Sequence, residues 1–174
     1  MSILTSLLRL CLVLCLVGAS AAFANERRYF KNVEGTWSGS GKIVAGKYKN
    51  TRFTCDFVGQ PPKGVGMEIG GKCRVGLFSQ PMSATITKRG GTFKGKFLDG
   101  AKGKGLDILS GRLRSNRLVV NINRKQLNGV MVANLKNSNK MQITISVRAN
   151  KKLIPVIGLT LNRTSHVAKT SFAD

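Results

Sequence analysis

Few side chains in this sequence could do chemistry: one histidine, seven Asp or Glu and four cysteines among 174 residues. A catalytic serine would need a base, and the sole histidine, His166, lies beyond the last strong strand pattern, with no G-x-S-x-G turn to present a nucleophile. Glu26 and Asp174 lie near the ends of the mature chain, and Glu34, Glu68, Asp99 and Asp107 fall on separate segments. No spacing therefore sets up an acid–base pair. A closed zinc site takes four ligands, and there is no C-x-x-C to begin one. The sequence thus reads as non-enzymatic, without metal or cofactor, and an uncommon hydrolase ranks third behind two binding classes.

The cysteines carry a different chemistry. Arg9 precedes an uncharged run, Leu10 to Ala24, that ends in small residues with an A-x-A site at Ala22-Phe23-Ala24 and a second at Ala19-Ser20-Ala21. Such a run is too short to span hydrocarbon, which takes roughly 18 to 20 residues, and it has the form of a secretory signal. Residues 1–24 are expected to be removed, taking Cys11 and Cys15 with them, and the mature chain is expected in the periplasm or outside the cell with no transmembrane segment. In that oxidising setting Cys55 and Cys73 read as one disulfide.

Side-chain alternation supports the pairing. Phe53, Cys55 and Phe57 share one face of a strand, and Met67, Ile69, Cys73 and Val75 share one face of the next. A hairpin turning through residues 60–64 sets Cys55 opposite Cys73, Phe53 opposite Val75 and Asp56 opposite Lys72. A slip of one residue would break all three matches. A crosslink closing a loop of this size is worth on the order of 3 kcal/mol.

The rest of the mature chain alternates in the same way. Strands are expected at 36–45, 82–89, 92–98, around 105–113, 117–124 and 129–136, at 140–148, and through 153–163 with a bulge or edge at Pro155. Roughly ten short strands of ordinary length, with short Gly, Asn, Ser or Lys connectors and no room for crossover helices, predict an all-β fold. The expectation is a single antiparallel up-and-down β-barrel of about 8–10 strands, with a β-sandwich as the fallback. The domain plan is a signal peptide at 1–24, a lead-in at 25–33, the barrel at 34–164 and a flexible tail at 165–174. Inward glycines at 39, 41, 71 and 95 leave room for a ligand or for large neighbouring side chains. Asn162-Arg163-Thr164 reads as an N-x-T sequon that is expected to stay unmodified.

Gly35-Thr36-Trp37, opening the first strand, resembles the G-x-W start of the calycin barrels, the group of lipocalins, fatty-acid-binding proteins and avidins. That resemblance implies that Trp37 packs across the closed end of a barrel. The sequence lacks a lipocalin-type C-terminal helix, and its lone tryptophan is too few for an avidin-like biotin site. The chain is also similar in style to uncharacterised exported alphaproteobacterial proteins, and more loosely to small periplasmic inhibitor barrels that combine a G-x-W-like start with one disulfide.

Net charge is +22, with 29 Lys and Arg spread over the whole length. Such a surface attracts polyanions through its field, more weakly as salt rises, although an AT-rich genome would also favour lysine and asparagine. The expected anion site is Lys94, Lys96, Lys102 and Lys104, followed by Arg112, Arg114 and Arg117, and by Lys151 and Lys152. Two tyrosines and mostly inward phenylalanines offer few stacking platforms, which argues against nucleic acid. The functional expectation is an exported β-barrel binding protein for an anionic or lipophilic ligand or an envelope surface. The alternative is an inhibitor or interaction protein with a protein partner, presenting the Pro61-Pro62 loop and the 99–105 loop.

Overall fold

The computed structural model describes residues 24–98, 105–125 and 127–165. Most of the expected signal peptide and tail lie outside these residues, as do Lys102 and Lys104. After a short helix, α1 (residues 24–31), come ten strands: β1 (Gly35–Ile43), β2 (Arg52–Gln60), β3 (Gly66–Val75), β4 (Phe78–Arg89), β5 (Thr92–Leu98), β6 (Leu106–Arg114), β7 (Arg117–Arg124), β8 (Leu127–Asn137), β9 (Lys140–Ala149) and β10 (Lys152–Ser165). Each strand pairs antiparallel with its sequence neighbours, and β1 pairs with β10, so the sheet closes into a ten-strand up-and-down barrel with no free edge.

The alternation read from the sequence sets the two faces. Apolar residues at every second position point inward, while Lys and Arg line the outside, the reverse of a transmembrane barrel, whose apolar band faces lipid. No described helix is long and apolar enough to cross a membrane. In the β2–β3 hairpin Cys55 stands opposite Cys73 and Asp56 opposite Lys72, and the two sulfurs are bonded. The carboxylate of Asp56, however, pairs diagonally with Arg74 at 2.5 Å and accepts a hydrogen bond from Ser38 Oγ at 2.8 Å. The longer, forked arginine reaches where the facing lysine does not. The expected irregularity in the last strand falls between Pro155 and Ile157, and a further bulge lies between Ile108 and Ser110.

Up-and-down order divides the loops between two ends. The β2–β3, β4–β5, β6–β7 and β8–β9 turns share one end with α1, which closes it. Eight residues of helix are marginal alone, and α1 is held by burying Tyr29 and Phe30, with Val33 following it. Phe30 stacks edge-on between Tyr29 and Phe93, each pair at 5.2 Å, and Tyr29 Oη donates to the Ala133 carbonyl at 2.9 Å. Glu26 reaches Lys88 on the barrel at 2.5 Å. The segment expected only as a lead-in is thus the plug of the barrel.

β4 starts earlier than its alternation suggested, at Phe78. It pairs with β3 from Phe78 to Thr87 and, among the described residues, with β5 from Ser83 to Arg89. Pro81 sits in the first stretch of β4, facing Lys72 on β3 and, among the described residues, no strand on its other side.

Candidate functional site

The closed half of the barrel is solid. Trp37, Phe93, Leu118, Val120 and Leu161 are almost completely buried there. Towards the other end the interior is hollow, with a cavity of about 510 Å³. Its wall is built from inward positions of most of the strands, including Phe53, Met82, Phe97, Ile143, Ile145 and Leu159, and the Cys55–Cys73 disulfide forms part of it. Among the described residues Ser79, Gln80 and Ser83 add the only polar side chains, all from β4 near the open end, and no charged side chain lines the space. Phe78 stands at the mouth, lining the cavity while 83% exposed.

The inward glycines do not make this void. A Cβ on Gly41 would lie 2.3 Å from the Phe53 ring, so that ring already fills the gap. A Cβ on Gly71 would lie 1.9 Å from the Asp56 carbonyl oxygen, which marks a close approach of bent strands. The void comes instead from the ten-strand girth, which mid-sized Ile, Leu and Met side chains do not fill.

At the closed end Trp37 is buried and its indole N–H donates to the Val33 carbonyl at 2.8 Å. Arg163, on β10, lies over the indole with its guanidinium carbon 4.2 Å from the ring centre. Its remaining donors reach the Asn32 carbonyl at 2.6 Å, the Ser138 carbonyl at 2.8 Å and the Glu34 carbonyl. One side chain thus joins the plug segment, the first strand, the last strand and the β8–β9 turn. The sequence reading passed over Arg163 as the middle of a sequon, and a strand arginine carries no local pattern that would have marked it.

The expected anion patch is only partly within the described residues. Lys94 and Lys96 point outward from β5, with Lys96 across from Asp107. Lys151 and Lys152 stand in the β9–β10 turn at the open end. The structure does bring Arg112, Arg114 and Arg117 together, around an outside groove of about 580 Å³. This groove exists because β5 and β6 pair only between Gly95–Phe97 and Leu106–Ile108. Past the bulge the Thr92 hydroxyl bridges the Gly111 N–H and C=O in place of strand pairing. The three guanidiniums have no ionic partner among the described residues, so the groove could hold an oxyanion. The carboxylates remain dispersed, and no three His, Cys, Asp or Glu converge among the described residues.

No protein-family description matches the sequence, and neither does any curated protein. Solved structures match in fold. The crystal structure of Rv2717c from M. tuberculosis superposes with a TM-score of 0.55 at 12% identity, over 77% of this chain and 94% of that one. A protein with unknown function from the DUF3598 family of Nostoc punctiforme superposes with a TM-score of 0.50 at 14% identity, over 77% of this chain and 48% of that one. At such identities the likeness extends to the barrel alone.

Proposed function

We propose that the protein is an exported binding barrel that carries a lipophile with an apolar tail in its hollow half and a polar or anionic head at the open mouth. The observation that carries this reading is the cavity. Its volume of about 510 Å³ lies within the usual scale of small-molecule sites, and among the described residues its wall is apolar apart from two serines and a glutamine close to the opening. An apolar pocket with polar groups at one end orients an amphiphile, and the lysines beyond the mouth favour a negative head. The buried Trp37 under Arg163 supports a calycin-like reading of the closed end, in keeping with a one-mouthed carrier.

The test is titration with a fluorescent long-chain fatty acid, with extraction and mass spectrometry of the lipid carried by protein purified from its own host. Saturable binding is expected, abolished by Ala133→Phe or Ala84→Leu, which place bulk in the cavity from buried wall positions. Affinity unchanged in both folded variants would overturn the reading.

A further inference from the structure

The open end carries an arrangement that ligand binding inside the barrel does not require. Each of its five connections brings an exposed apolar side chain: Tyr48 between β1 and β2, Leu77 and Phe78 between β3 and β4, Leu98 before the β5–β6 connection, Leu127 after β7, and Leu153 at the start of β10. Leu77 is 101% exposed and Tyr48 63%. Scattered apolar residues on a surface are ordinary, but a ring of them around one opening is not.

The β9–β10 tip also projects beyond the end of β1, whose pairing with β10 stops at Ile157, and the β3–β4 tip lies at the same open end. In the order of the barrel these two tips flank the β1–β2 loop, so Leu77, Tyr48 and Leu153 crown one continuous arc.

Basic residues are interleaved with these tips: Lys47, Lys49, Lys125, Lys151 and Lys152. Lys125 and Lys151 have φ of 53° and 64°, the left-handed region where glycine is favoured, so charge is kept at two turns against the backbone preference of a lysine. Described acidic residues do not oppose them. Glu26, Glu34 and Glu68 lie towards the closed end, Asp56 is paired with Arg74, and Asp107 faces Lys96 across the strands.

We infer that the open rim docks on an anionic lipid bilayer, with Leu77, Phe78, Tyr48 and Leu153 entering the interface and the rim lysines resting on the headgroups. Apolar tips amid cations suit an anionic interface, where each nearby lysine adds about 1 kcal/mol of attraction. Docked in this way, the mouth of the cavity faces the membrane. The inference goes beyond lipid carriage and stands independently of whether the cavity is occupied.

The experiment is co-sedimentation of the mature chain with phosphatidylcholine vesicles, with and without phosphatidylglycerol. Binding is expected only to the anionic vesicles and to weaken with salt. Leu77→Ser with Phe78→Ser, and separately Lys151→Glu with Lys152→Glu, are each expected to lower affinity about tenfold or more, at about five-fold per cation. Arg112→Glu with Arg114→Glu, the same change in charge near the closed end, should leave it within about twofold. In Leu77→Trp the new indole should shift to shorter wavelength on anionic vesicles while Trp37, already buried, stays constant.

Equal loss in the rim and closed-end charge variants, or no shift of the new indole, overturns the proposal in favour of diffuse attraction by net charge. Dimers without vesicles that the Leu77→Ser/Phe78→Ser variant dissociates would overturn it in favour of a second copy covering the rim. Vesicle binding with no fatty-acid uptake would leave docking in place and remove the carrier reading, and the converse would do the opposite.

Discussion

At the scale of single residues, Arg163 ties several segments of the closed end together. It accepts nothing and donates to carbonyls on three segments while its flat face covers Trp37. Arg163→Ala would strip donors from part-buried carbonyls, each costing about 1–3 kcal/mol, along with a cation–π contact of about 1 kcal/mol. A total loss on the order of 3 kcal/mol is expected in urea unfolding. Arg163→Lys should recover less than half of it, since an ammonium lacks the planar fork. Recovery to wild type would mean that only the charge matters. Asp56 makes a smaller, pH-dependent contribution. The hydrogen bond from Ser38 and then Arg74 hold its carboxyl below the usual carboxylate range. A lowered folded value gives stability that is fully present above the ordinary Asp pKa of about 3.9 and is lost as pH falls through the folded value. Asp56→Asn should therefore lower stability slightly at neutral pH and flatten the decline below about pH 4, the group being half exposed and screened by water. An unchanged acid limb in thermal melts would show that the pair contributes nothing.

At the scale of elements, the β2–β3 hairpin was the most legible part of the sequence. Cysteine, charge and apolar positions in two segments agreed on one register, and three coincident constraints leave a strand little freedom to slip. The start of β4 was hidden because Phe78-Ser79-Gln80-Pro81 breaks alternation and contains a proline, which sequence alone reads as demoting a strand. Helix α1 was hidden for another reason. Two turns give too short a period to read, and its formation depends on a barrel end that exists only once the chain has folded. The disulfide belongs to the hairpin and also to the cavity wall. Replacing both cysteines by serine is expected to cost about 3 kcal/mol from the unfolded-state constraint. Because the change also lines the cavity with two hydroxyls, fatty-acid affinity should fall as well. Reduction of the wild type in dithiothreitol should reproduce the stability loss with a smaller effect on binding. Binding that falls equally under both treatments would place the disulfide's role in shaping the pocket rather than in holding the chain.

At the scale of the whole molecule, closure into a barrel could be inferred from strand count and short connectors, whereas the hollow half could not. Whether an inward position meets another side chain or empty space depends on the girth, and neighbours in the barrel lie far apart in sequence. The uneven filling has a dynamic consequence. Around the closed end Leu118, Val120, Leu135 and Leu161 are buried in one core with Tyr29 and Phe30 of α1, while at the open half Ile143, Ile145, Ile157 and Leu159 border the cavity and stay partly exposed. Strands with few packed contacts open locally at lower free energy. Amide exchange in the ligand-free protein is therefore expected to be faster in the open halves of β9 and β10, through residues 143–149 and 152–159, than around Met141 and Leu161 on the same strands. A ligand that fills the cavity binds the folded state alone, so melting temperature should climb with the logarithm of its concentration, by about 2.7 kcal/mol of stability at a hundredfold excess over Kd. Its protection should concentrate in the open halves. Protection rising equally along both strands would place the ligand outside the cavity, with the Arg112–Arg114–Arg117 groove as the next site to probe.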